Sequence, residues 1–286
     1  MKKVLLVLIL SAFLVPAFSQ ADSTNQKSSD PVSGIFSTGK LIDNQTVVTP
    51  NKGSLELEIQ HRFGQIKNYH DLFGIYASAN TRIGLDYGVT ARLMVGVGTT
   101  KDYKLQDIQW KYLILRQTED NKMPISLSYF GNIAADLRTD DAFGPTERYK
   151  AIHRFSYFTE LIVARKITEK ISVQVAPSMA YFNSVPEYRA DSTYKNLNFG
   201  ISAGGRANLV GNQSLIVEYD QLLTKQPKIA TKPNLSIGWE IGTATHTFQV
   251  FVTNYNQILS QRNLVFNSNN FAKGEYLVGF NITVRF

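Results

Sequence analysis

Side chains suited to acid–base or nucleophilic work are sparse in this chain. Its four histidines, His61, His70, His153 and His246, lie far apart in sequence. A serine becomes a nucleophile only with a base beside it. The nearest such pair, His153 and Ser156, is three residues apart, which on an extended strand turns the two side chains to opposite faces. Hydrolysis is therefore not expected, and the chain does not read as an enzyme. There is no cysteine, so thiol nucleophiles, thiolate metal sites and disulfides are excluded together. Asp136, Asp140, Asp141 and Glu147 share one polar segment and have the oxygens calcium wants. A solvated acidic loop accounts for them as well, so no metal site is assigned, and no cofactor is expected. Gly96-Val97-Gly98 sits in strand-like text with no helix after it, which is not the setting of a phosphate loop.

What remains is a set of charged residues placed at every second position of otherwise apolar segments. Leu55, Leu57, Ile59, His61 and Phe63 alternate with Glu56, Glu58, Gln60 and Arg62, one apolar and one polar face of a strand. The same period runs through Arg82, Asp86, Arg92, Glu160, Arg206, Glu218 and Glu240, each with an apolar neighbour on at least one side. Twelve such segments can be read, the last from Tyr276 to Phe286. Composition agrees: 17 Phe, 14 Tyr and 19 Gly favour an all-β chain, and 19% charged residues is below the roughly 25% usual for soluble domains.

Connections between the segments alternate in length. Short turns fall near 88–90, 117–123, 167–170, 210–213 and 243–245, and longer loops near 64–78, 136–152, 183–196, 224–232 and 255–273, with one brief link near 101–103. An even number of antiparallel strands with short turns at one end and long loops at the other is the pattern of an outer-membrane barrel. The expected fold is all-β, a twelve-stranded antiparallel transmembrane β-barrel over residues 54–286 with short periplasmic turns and longer extracellular loops. Tyr276 and Phe286 are ten residues apart, about 24 Å once tilted, which matches the apolar band between two aromatic girdles. Tyr276, Phe280 and Phe286 resemble the C-terminal signal by which such barrels are recognised for insertion.

Residues 1–19 read as a secretory signal peptide: Lys2 and Lys3 precede an apolar run from Val4 to Phe18, and Ala17-Phe18-Ser19 suits cleavage. Residues 20–53 read as a flexible periplasmic leader. Within it, Lys40–Ile42 and Thr46–Val48 could pair as a short hairpin around Asp43-Asn44, or the segment could lie beneath the barrel. Removing Lys2 and Lys3 lowers the net charge from +7 to +5. Basic residues are scattered singly, so no nucleic-acid partner is expected.

Several stretches carry a resemblance: HRFG at 61–64, RIGLDYGVTARLMVGVG at 82–98, KYLILRQ and MPISLSYFGN within 111–132, LIVARKITEKISVQVAPS at 161–178 and HTFQVFVTN at 246–254. In these the chain resembles a family of bacterial outer-membrane β-barrels, the domain of unknown function 5777, over most of residues 36–286. The resemblance implies an outer-membrane barrel and carries no catalytic residues. If the aromatic parity faces lipid, the lumen is lined by Arg62, Arg82, Arg92, Lys111, Arg154, Arg206 and Arg285. Facing them are Glu56, Glu58, Asp86, Asp107, Glu160, Glu218, Asp220 and Glu240. Seven against eight suggests paired charges rather than a ring selective for one ion sign. Twelve strands enclose a narrow passage, between filled eight-stranded and aqueous sixteen-stranded barrels. The expected function is a narrow pore or transporter-like barrel for small solutes. The alternative is a non-conducting barrel that binds a ligand or partner, or serves a structural role, through its loops. Expected partners are outer-membrane lipid, the insertion machinery and an unidentified periplasmic or extracellular molecule.

Overall fold

The computed structural model describes residues 28–286 apart from 68–69, 71, 73, 145, 186–193 and 228–229; the expected signal peptide lies outside the described residues. Period-two alternation becomes twelve strands: β1 (Leu55–Arg62), β2 (Asn80–Gly88), β3 (Leu93–Thr100), β4 (Leu105–Leu115), β5 (Ser126–Asp136), β6 (Phe155–Lys166), β7 (Ile171–Phe182), β8 (Leu197–Asn208), β9 (Gln213–Leu222), β10 (Asn234–Gly242), β11 (His246–Thr253) and β12 (Leu277–Arg285). Each strand pairs antiparallel with its sequence neighbours, and β12 pairs with β1 to close the barrel. Closure is what hydrocarbon demands, because an unpaired strand edge cannot be solvated there. The seam is extended by one residue, with Phe286 N donating to Leu55 O at 2.9 Å and Leu55 N to Phe286 O at 3.3 Å.

The two parities separate by polarity. Ile83, Leu85, Val97, Ile108, Phe199, Trp239 and Val250 stand exposed on the outer surface, whereas Glu56, Glu58, Gln60 and Arg62 are buried inside. A continuous exposed apolar belt on a closed barrel is a lipid-facing surface. Among the aromatic residues, Tyr87, Trp239, Phe248 and Phe286 are exposed near the short-turn end, which we take as periplasmic. Tyr157 and Tyr181 pair across β6 and β7 toward the other end, their rings 6.3 Å apart.

The long connection between β11 and β12 carries a short helix, α1 (Ser260–Phe266), in which Gln261, Arg262, Asn263, Leu264 and Val265 are all buried. It is folded back into the outer mouth of the barrel. No described helix is long and apolar enough to cross a membrane.

Candidate functional site

The lumen is occupied. Residues 35–48, expected as part of a flexible periplasmic leader, run inside the barrel instead. Ile35, Phe36, Leu41, Ile42 and Val47 are each at most 8% exposed. The hairpin forms, but tighter than its alternation suggests: Lys40 bridges Gln45, Leu41 N donates to Asn44 O and Thr46 N to Gly39 O, so the turn is Leu41-Ile42-Asp43-Asn44. Ile42 at the tip has φ of 54°, a conformation costly for a β-branched residue. It is held there by complete burial and by Asn281 Nδ2, which donates to its carbonyl at 2.7 Å.

At the periplasmic end the strap before the hairpin is tied to the β4–β5 turn. Pro31 bridges Thr118, and Val32 N donates to Gln117 O. Asp120 accepts from Thr118, Ser29 and the Lys122 backbone N–H, and these donors hold its carboxyl below the usual carboxylate range.

Wall side chains bind the hairpin mainly through its backbone. Lys111 Nζ donates to Gly39 O and Val48 O at 2.9 Å each. Gln174 donates to Gln45 O, Gln249 to Lys40 O and Arg285 to Ser37 O. Two buried ion pairs fix the upper half: Lys40 with Glu58 at 2.6 Å and Arg62 with Asp43 at 2.7 Å. At the tip, Glu218 Oε2 accepts the backbone N–H groups of Asp43 and Asn44, while Tyr255 Oη donates to its Oε1 at 2.6 Å. Asn44 Nδ2 donates to Asp220 at 2.6 Å.

From the outer side, α1 closes the remaining space. Gln261 donates to Asn132 and Ser156, and Asn234 donates to both Asn263 oxygens. Arg262 lies 3.6 Å over the Tyr103 ring. Leu264 and Val265 join one apolar cluster with the hairpin's Leu41 and Ile42 and with Phe130, Phe158, Ile162, Ile216 and Phe251 of the wall.

Of the lumen candidates, Arg62, Arg82, Asp86, Glu160, Arg206, Glu218 and Glu240 lie inside the barrel. Arg82 binds Asp107 with two contacts, 2.7 and 3.0 Å, and Arg206 meets Glu240 at 2.7 Å. Asp86 accepts from Gln109. Arg92 does not line the lumen: it sits in the β2–β3 turn, exposed, donating to Ile114 O. Arg154 is also outside, in the loop before β6, paired with Asp140. Both fall beyond the strand ends, where parity no longer fixes direction. The acidic loop is likewise organised by arginines, since Asp136 pairs with Arg138.

Two features escaped the alternation. The inward parity carries Phe130, Phe158, Ile162, Ile216 and Phe251, all buried. Their signal was legible as strands apolar on both faces, in Leu161-Ile162-Val163, Leu215-Ile216-Val217 and Val250-Phe251-Val252, where a water-filled lumen would give alternation. Gly200 and Gly204, on the inward parity, face the occupants of the lumen. A Cβ on Gly204 would come within 2.5 Å of Leu41 Cδ2, and one on Gly200 within 2.5 Å of Leu264 Cδ1, so each is a notch for an occupant. A His–hydroxyl contact also appears, His61 Nδ1 to Thr81 Oγ1 at 2.8 Å, between strands and with the ring stacked on Phe280.

A closed antiparallel barrel with an apolar outer belt and buried charged side chains inside is an outer-membrane β-barrel. The chain belongs to the DUF5777 family, described as a membrane-bound beta barrel domain, whose model matches residues 36–286. No curated protein matches it in sequence. Similar solved structures include the KdgM porin, at 8% identity and TM-score 0.46 over 81% of this chain and 98% of that one. Another is an outer-membrane channel from Pseudomonas putida F1, at 12% identity and TM-score 0.48 over 84% and 97%. Outer membrane phospholipase A from Escherichia coli gives 11% identity and TM-score 0.43 over 82% and 97%.

Proposed function

We propose that this barrel is a channel for small polar solutes, closed at rest by its own N-terminal hairpin and by α1. The observation that carries the reading is the manner of closure. The hairpin is held by wall side chains that donate to its main-chain carbonyls and by two ion pairs. Each such hydrogen bond has a net worth of about 1 kcal/mol because water can replace it. A wall built only to be filled would use its own larger side chains; this one keeps notches at Gly200 and Gly204 for separate segments. The competing reading, a permanently non-conducting barrel, draws on the same complete filling of the lumen. No catalytic step is part of the proposal. The reading also assigns Tyr276, Phe280 and Phe286 to recognition by the insertion machinery.

Planar-bilayer conductance separates the two readings. Wild-type protein is expected to be silent or to open rarely, and a variant lacking residues 28–48 together with 257–270 is expected to conduct steadily. A reversible form uses the absence of native cysteine: Leu41→Cys with Gly204→Cys should lock the hairpin when oxidised and release it when reduced. A doubly deleted barrel that shows heat-modifiable folding yet never conducts would overturn the channel reading.

A further inference from the structure

We propose that a hard divalent cation of the calcium class binds inside the barrel, at the point where the hairpin tip, α1 and the wall meet. A cavity of about 10 Å³ lies there, lined by Asn44 of the hairpin, Ser260 and Asn263 of α1, and Glu160, Ser202 and Asp220 of the wall, among others. That volume is about the room one water or one bare ion needs.

The first observation is a charge deficit. Among the described residues, the strand and hairpin bases are committed: Lys40 to Glu58, Arg62 to Asp43, Arg82 to Asp107, Arg206 to Glu240 and Arg285 to Glu56, while Arg262 of α1 is turned to the Tyr103 ring and to Gln257 Oε1. Lys111 is bound to the carbonyls of Gly39 and Val48. Glu160, Glu218 and Asp220, each at most 5% exposed, have no basic side chain paired with them.

The second observation is independent of charge. Glu160 Oε1 is buried without any hydrogen-bond donor, although Glu160 lines the cavity. Asn234 Oδ1 and Gln261 Oε1, on side chains bonded to α1 or within it, are also buried acceptors without donors. Buried polar atoms left unpaired each cost about 1–3 kcal/mol. Asn234 and Gln261 lie outside the cavity lining, and Asp220 accepts from the Asn44 and Asn234 amides, so the site rests on Glu160 Oε1, a donor-less carboxylate oxygen facing a second carboxylate with no base, which is what a cation satisfies. No three acidic or histidine side chains among the described residues are grouped to hold a metal. The donor set is instead two carboxylates with neutral hydroxyl and amide oxygens, which suits calcium rather than a transition metal.

Such an ion would join hairpin, helix and wall, and so act as a latch on the closed state, a consequence that rests on the gating reading above. The binding itself does not, and is tested separately. Full-length folded protein in detergent, stripped with chelator, should bind one Ca²⁺ per chain by titration calorimetry. Glu160→Gln and Asp220→Asn should each weaken binding at least tenfold, and the milder Ser202→Ala should weaken it less, while Asp141→Asn in the exposed outer loop should leave it unchanged. Heat-modifiable gel migration confirms that each variant is folded. No binding at millimolar Ca²⁺, or binding that survives in both carboxylate variants, overturns the site. Binding without any effect of chelator on conductance would keep the site and remove only its role as a latch.

Discussion

Arg62→Ala is expected to unseat the hairpin tip and raise open-channel probability by at least tenfold, with the barrel itself still folded. Arg62 is fully buried, pairs with Asp43 at 2.7 Å, donates to Asn281 and lies 4.3 Å over the Phe251 ring. Removing one partner of such a pair leaves Asp43 as an uncompensated charge, a loss of about 3–5 kcal/mol. That loss falls on the docked hairpin rather than on the sheet, because the ladder bonds of β1 to β2 and β12 are main-chain bonds and survive the substitution. Asp43→Ala should have a similar effect from the other side. The double variant should cost less than the sum of the singles, because neither charge is then stranded. Conductance and protease access to the segment around 35–48 read the result. If Arg62→Ala leaves both at wild-type levels, the ion pair does not hold the hairpin.

Phe280→Arg is expected to reduce folded protein in the membrane several-fold. Phe280 faces outward on β12 and stacks on His61 across the seam at 5.0 Å, with Phe63 6.0 Å away. A cation on the lipid face costs about 2–4 kcal/mol at the midplane and less toward the interface, and here it is added at the seam whose pairing removes the open edge. Phe286→Ala should lower the folded yield through loss of the insertion signal rather than through the seam. Residue Phe286 is 71% exposed, and the seam bonds at that position are main-chain bonds to Leu55. The folded fraction is read from heat-modifiable gel migration of isolated membranes. Equal folded yields for Phe280→Arg and wild type would show that this face of β12 does not meet lipid.

Alternation by itself determined the barrel. Period two is a local property of an extended chain, so Leu57, Ile59 and Phe63 against Glu58, Gln60 and Arg62 specify two faces whatever the rest of the molecule does, and alternating short and long connections specify an up-and-down order. Most of the wall candidates lie inside for the same reason. Arg92 does not, because it sits past the strand end, where direction is set by the turn. What fills the lumen was decided only by tertiary structure. The hairpin at 35–48 touches partners up to 248 residues away, as when Arg285 donates to Ser37 O, and no local period encodes a contact of that separation. The traces it left, apolar residues on both faces at Ile162, Ile216 and Phe251 and inward glycines at 200 and 204, are meaningful only once an occupant is known. Likewise the cavity at Glu160 and Asp220 exists because three separate segments converge there. The near balance of charge read from the strands became an acidic excess once Arg92 and Arg154 proved to lie outside, while the hairpin brought in one base, Lys40, and one acid, Asp43, each paired with the wall.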